Sequence, residues 1–173
     1  LPPVAGLVNI AGISDPTPFL DVDAERWRRV IDVNVTGCFL TSKSVAASMR
    51  EAGWGRVIHI SSAAWSMGRG NYLHYTTSKA ALLGMTRSMA RELGTHGITV
   101  NAYCPGVVGT DMWVDIDQRF ADLTGAPKGA TYEKFVGGIA LGRAETPDDV
   151  AGFVSYLAGP DADYMTGQAG LID

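Results

Sequence analysis

The chain has 173 residues, 46% of them hydrophobic and 18% charged, with a net charge of −4. That length supports a single domain over residues 1–173 with a substantial core. The charges are spread without long runs, which argues against nucleic acid or an anionic membrane surface as the main partner, and no apolar stretch approaches the ~20 residues of a membrane helix. Leu1-Pro2-Pro3-Val4 lacks the basic start and apolar run of a signal peptide. Cys38 and Cys104 are far apart and match no metal spacing. They read as reduced, buried thiols, so the cytoplasm is the expected compartment.

Leu7-Val8 runs into Asn9-Ile10-Ala11-Gly12 and reads as a short buried strand ending in a turn. Residues 23–51 read as one long helix, with Asp23 as N-cap and Trp27, Val30, Ile31, Asn34 and Cys38 on one face. Arg56 to Ile60 is a mostly apolar run, hence a buried strand. A second long helix is expected over 72–93, with Leu82, Met85, Met89 and Leu93 as its stripe and Gly94 as its C-cap. Ile98 to Cys104 is the next strand, stopped by Pro105-Gly106. Residues 107–145 are less regular, with one short helix expected near 131–137. Thr146-Pro147-Asp148-Asp149 opens the last helix with a cap, a proline and first-turn acids; Val150, Phe153, Val154 and Leu157 form its buried face. Gly170 to Ile172 reads as a final strand. This alternation predicts an α/β fold with a parallel sheet and crossover helices. Ligands in such sheets sit beyond the carboxyl ends of the strands. That rule points to Asn9–Gly12, Ser61-Ser62 and Pro105–Thr110.

Tyr75 and Lys79 stand four residues apart near a helix start, so they share a face one turn apart. A phenol of pKa about 10 is a poor base at neutral pH. A nearby ammonium favours the phenolate, which makes the pair a workable acid/base for a hydroxyl or carbonyl. Ser62 ends a buried strand at the ligand edge, where its hydroxyl can bond a substrate oxygen and steady developing charge. No G-x-S-x-G elbow surrounds it, which argues against a Ser-His-Asp hydrolase. Asn34 is a polar residue on an apolar stripe and needs either a partner or a function; a neighbouring carbonyl is the alternative to a catalytic task. Asn9-Ile10-Ala11-Gly12 and Pro105-Gly106-Val107-Val108-Gly109-Thr110 supply small residues after strands, where backbone can approach a flat ligand. His59 reads as a strand residue, His74 as helix-start surface and His96 as loop; none has ligand spacing, so no metal site is expected.

Together these segments resemble the short-chain dehydrogenase/reductase family, in the family's order along nearly the whole chain. The likeness rests on Asn9-x-Ala11-Gly12, Asn34 within Asp32-Val33-Asn34-Val35-Thr36-Gly37, Ile60-Ser61-Ser62, Tyr75-x-x-x-Lys79, Asn101-Ala102-x-Cys104-Pro105-Gly106 with Thr110, and Tyr164-Met165-Thr166-Gly167-Gln168 followed by Ile172-Asp173. The resemblance implies a Rossmann-like doubly wound sheet. It also implies hydride transfer between a nicotinamide cofactor, NAD with NADP as the alternative, and a secondary alcohol or ketone. Tyr75 would be the acid/base, Lys79 would lower its pKa and hold the nicotinamide ribose, Ser62 would orient the substrate oxygen, and Asn34 would hold a water linking Lys79 to solvent. The cofactor contacts implied are Asn9, Ala11, Gly12, Tyr75, Lys79, Pro105, Gly106, Val108 and Thr110. Met112-Trp113-x-x-Ile116-Asp117, Ala140-Leu141-Gly142-Arg143 and Asp163-Tyr164-Met165-Thr166-Gly167-Gln168 look similar to acetoin reductases (2,3-butanediol dehydrogenases) and sorbitol-type polyol dehydrogenases. A small diol, hydroxyketone or polyol is therefore the expected substrate, with a 3-oxoacyl thioester as the alternative. Ser62, Trp65, Met67, Val107 and Trp113 are the expected pocket residues. The two long helices are expected to make a homodimer or homotetramer.

Two departures stand out. Ile10 replaces an Asn common in the first motif. The family's opening strands and Gly-rich phosphate-binding turn do not appear, so on the order of 80 residues are expected upstream of Leu1. The competing expectation is a truncated, cofactor-deficient homologue acting as an oligomerising or interaction module, with Leu7-Val8 as an exposed sheet edge.

Overall fold

Four short parallel strands carry the architecture: β1 (Gly6–Asn9), β2 (Gly55–Ile60), β3 (Ile98–Pro105) and β4 (Ala169–Ile172), hydrogen-bonded in the order β1-β2-β3-β4. The computed structural model describes residues 4–172; Leu1, Pro2, Pro3 and Asp173, which the sequence reading used at the two ends, lie outside the described residues. Register places Leu7, Val57 and Val100 in one row and Asn9, His59 and Ala102 in the next. The pleat sends these rows to one face, where Met49 and Ala90 close a core over Val57, Ile98 and Val100. The opposite face carries Ile58, Asn101 and Tyr103, and Phe153 packs its ring against Tyr103 at 5.3 Å. Helices thus cover both faces of a parallel sheet, which is why β2 and β3 are buried along almost their whole length.

The first connection contains α1 (Ala24–Ile31), a π-helical segment (Asp32–Thr36) and α2 (Gly37–Ala52). Asp23 caps α1 as expected, accepting from Arg26 N at 2.8 Å. The single helix expected over 23–51 is therefore interrupted, and Asn34 lies in the wide turn. After β2, α3 (Ala64–Met67) is a single short turn and α4 (Leu73–Leu93) is the long helix expected over 72–93. Gly94 continues into a 3-10 turn; the reversal is made at Gly97 (φ 72°), where a Cβ would also collide with the Gly53 carbonyl.

Residues 107–145 hold more helix than expected: α5 (Met112–Thr124) precedes α6 (Ala130–Val136). The buried Asp117 of α5 accepts from the backbone N–H groups of Gly129 and of Tyr132, and so caps α6 from outside; the Gly129 bond holds its carboxyl below the usual carboxylate range. α7 (Pro147–Ala158) begins with a complete capping box between Thr146 and Asp149. No helix among the described residues is long and apolar enough to cross a membrane.

Candidate active site

The carboxyl ends of β2 and β3 open into a cavity of about 600 Å³. Its walls come from the loops after β1, β2 and β3, the start of α4, and α5 and α6. Ser62, Tyr75 and Lys79 meet there. Ser61 and Ser62 divide the labour at the end of β2. Ser61 turns inward and donates to the Lys79 carbonyl at 2.8 Å, tying the strand end to α4. Ser62 faces the cavity, accepts from Ala64 N at 3.2 Å and favours the phenolate form of Tyr75.

Lys79 is 4% exposed and donates from Nζ to the Ile60 carbonyl at 2.8 Å. Its ammonium lies 5.7 Å from the Tyr75 ring centroid. Burial pushes its pKa down to about 8, with Cys38 and Cys104 acting weakly in the other direction. Burial also holds the Tyr75 phenol above its ordinary value, against the lowering by Ser62. The resemblance implies that Lys79 depresses Tyr75; in this cavity desolvation sets the direction instead. Below pH of about 8 the site therefore presents a neutral phenol beside an ammonium.

Asn34 is fully buried beneath this floor. Its Oδ1 accepts from Ile13 N at 2.8 Å, and its Nδ2 donates to Ile13 O at 3.0 Å and to Ser78 Oγ at 2.9 Å. The side chain thus ties the loop after β1 to α4 and does not line the cavity. Between Asn34 and Lys79 lies Gly12, where a Cβ would come within 3.3 Å of Lys79 Nζ and 3.4 Å of Asn34 Oδ1. A side chain there would press on both groups, so a residue without one keeps this stretch of backbone open to a flat ligand.

The other expected contacts divide. Gly12, Pro105, Gly106, Val108 and Thr110 line the cavity, as do Met67, Val107 and Trp113. Asn9 does not: its side chain turns into α2, donating to Ser42 Oγ at 3.1 Å and accepting from Thr41 Oγ1 at 2.6 Å. Ala11 and Trp65 also lie outside the lining. His74 is a correction, being fully buried rather than surface-exposed, with Asp15 Oδ2 4.0 Å away. Glu145, which no sequence motif marks, also shapes the site. Its carboxylate accepts from Tyr103 Oη at 2.5 Å and Gly106 N at 2.6 Å, while its backbone bonds Val107 O at 2.8 Å and Gly109 N at 2.9 Å. Three of these bonds hold the loop that walls the cavity, and the one from Tyr103 ties it to β3. Cys38 and Cys104 are free and buried.

Residues 2–173 match a family model described as enoyl-(acyl carrier protein) reductase. The chain belongs to the short-chain dehydrogenase/reductase family. It is 40% identical over 168 residues to the L-2,3-butanediol dehydrogenase of Corynebacterium glutamicum, covering 96% of this chain and 65% of that protein. Among solved structures it resembles an NAD+-bound xylitol dehydrogenase (TM-score 0.93, 29% identity, 98% of this chain and 68% of that one). It also resembles an actinorhodin polyketide ketoreductase variant with NADPH (TM-score 0.93, 34% identity, 98% and 66%). The Rossmann-like α/β fold expected from the sequence is the fold these family members share. The chain spans 62% to 65% of the length of the first curated relatives it matches.

Proposed function

We propose that this short-chain dehydrogenase/reductase chain carries the proton-transfer half of an NAD(P)-dependent oxidoreductase acting on a secondary alcohol or ketone. The observation that carries the reading is the convergence of Ser62, Tyr75 and Lys79 on one cavity, with Lys79 Nζ held by the Ile60 carbonyl. The Tyr75 phenol gives its proton to a carbonyl oxygen in reduction and recovers one in oxidation. Ser62 supplies the hydrogen bond that orients that oxygen and stabilises charge developing on it. Lys79 contributes positive charge beside the phenol, which favours its transient phenolate. Asn34 acts by holding Ile13 and Ser78 in place, and the backbone around it is the proposed seat of a relay water.

The cavity fits the nicotinamide end of a dinucleotide. Gly12 leaves open backbone beside Lys79, and Pro105, Gly106, Val108 and Thr110 form the facing wall. NAD is the proposed cofactor, with NADP as the alternative. When bound, the nicotinamide supplies or accepts the hydride at the substrate carbon. The relatives named for butanediol and xylitol support a small diol, hydroxyketone or polyol. The ketoreductase neighbour and the acyl-carrier description of the family model support an oxoacyl thioester as the second reading.

Val33, Phe39, Leu40 and Leu73 expose apolar surface on the outer helices, which supports a homodimer or homotetramer. A monomer by light scattering would contradict that. The cytoplasm is the proposed compartment. Titrating the chain into NADH and NADPH tests the reading directly: enhanced nicotinamide fluorescence is expected with at least one, and unchanged fluorescence with both overturns activity for this chain. A panel of diols, polyols, hydroxyketones and oxoacyl esters then separates the substrate readings.

A further inference from the structure

Beyond Ser62, Tyr75 and Lys79, the cavity is lined chiefly by apolar side chains: Met67 from α3, Met112, Trp113 and Ile116 from α5, Phe135 from α6 and Ile139 just after it. The rings of this region are connected. Trp113 meets Phe135 edge-on at 5.2 Å, Phe135 lies 6.3 Å from Phe120, Phe120 lies 5.6 Å from Tyr72, and Tyr72 meets Tyr75 edge-on at 5.6 Å. One continuous series of ring contacts therefore runs from the proposed proton donor through α5 to α6. Among the described residues, no Asp, Glu, Asn, Gln or His lines the cavity. Of the other polar side chains there, Ser61 donates to the Lys79 carbonyl, and Arg69 lays its guanidinium on the Phe135 ring, 3.8 Å from the centroid. Thr110 stands on the wall proposed for the nicotinamide, and Tyr72 offers one phenol that burial keeps neutral.

We propose that the substrate is a ketone or secondary alcohol whose larger substituent is an apolar, aromatic ring, rather than a polyol. The proposal rests on the reading of Ser62, Tyr75 and Lys79 as the alcohol/ketone site. Every hydroxyl of a polyol gives up water on entering, and one that finds no bond inside is costly to bury. Once the reacting oxygen has taken Ser62 and Tyr75, a chain with a hydroxyl on each carbon finds few side-chain partners on this wall. An apolar ring gains instead, by about 4-fold in affinity for each methylene-sized group taken out of water. Its face and edge also suit ring contacts of the kind that Trp113, Phe135 and Tyr72 already make. Size points the same way. A cavity of about 600 Å³ lies within the range that encloses drug-sized ligands. Beside a nicotinamide, 2,3-butanediol would leave much of the apolar wall against water, and a ring would cover it.

The test is a calorimetric titration of the protein with acetophenone, acetoin and xylulose, which share a ketone and differ in what flanks it. Acetophenone is expected to bind at least about 10-fold more tightly than either of the others. Ile116→Asn puts an amide into the apolar wall and should bring that ratio down to about 3-fold or less. Met67→Gln should lower the ratio in the same direction from an exposed position, and it decides the matter where Ile116→Asn does not fold. Equal binding of acetophenone and xylulose, or a preference for acetophenone that survives in every folded variant, overturns the proposal. The underlying reading fails separately. Turnover indifferent to Tyr75→Phe, with the acetophenone preference present and lost in the wall variants, removes the dehydrogenase and keeps the ring subsite. Tyr75-dependent turnover that is faster with xylulose or acetoin than with acetophenone keeps the dehydrogenase and overturns the ring-bearing substrate.

Discussion

Replacing Lys79 by methionine should make the protein more stable at pH 7 while removing its activity. Lys79 is 4% exposed, and burial pulls its pKa from 10.5 to about 8. That fall corresponds to about 3 kcal/mol of folding free energy lost to holding the ammonium out of water. Methionine fills a similar volume without charge but leaves the Ile60 carbonyl without its donor, which costs about 1 kcal/mol. The net gain is about 2 kcal/mol, or roughly 4–8 °C in Tm for a chain of this size. The sign follows from proton binding. Between the folded value near 8 and the unfolded value near 10.5, the unfolded chain holds more protons. The wild-type protein therefore gains stability as pH rises through that window, and the penalty is complete only below it. Thermal unfolding of both proteins at pH 7 and near pH 10 is the assay. The variant should melt higher at pH 7, and the gap should close at the higher pH. Equal melting at pH 7, or a gap that grows with pH, would refute the reasoning.

Asn34→Ala should cost about 3 kcal/mol, because it orphans the Ile13 backbone N–H and carbonyl and removes the Ser78 partner; denaturant unfolding reads it. Glu145→Gln should weaken nicotinamide binding and lower stability by about 1–2 kcal/mol, since one amide oxygen cannot serve both Tyr103 and Gly106; cofactor titration and melting check the two effects. Carbonyl reduction should decline as pH rises through about 8, where Lys79 loses its charge, and a pH–rate profile flat across that range would count against the assignment.

Much of the frame was legible because burial and periodicity coincide. β2, α4 and β3 lie within about two residues of where apolar runs, stripes and breakers placed them. Tyr75 and Lys79 come to one cavity because helical geometry sets that spacing. The π-helical turn at Asn34 was not legible: an extra residue in a turn leaves the apolar stripe from Val30 to Cys38 intact. α5 was hidden by the surrounding glycines, although Trp113, Ile116 and Phe120 carry helical spacing and could have revealed it. His74 shares its face with Ser78 and Leu82, both buried, and that spacing would have marked it as interior. Asn9 ends β1 on the face that Leu7 shares, so strand alternation turns its side chain into α2 and away from the ligand edge, and Trp65 lies on the short α3 outside the cavity lining. The part played by Glu145 depends on a contact with β3 more than 40 residues away in sequence, so no local pattern announces it.

The most direct test of the central claim is the rate of nicotinamide oxidation or reduction with acetoin and 2,3-butanediol, for the wild-type protein and Tyr75→Phe. Losing only the phenolic oxygen should leave folding intact and lower the rate by about 10²–10⁴-fold. Rates within a few-fold of one another, with both proteins folded, would contradict the assignment of Tyr75 as the proton donor.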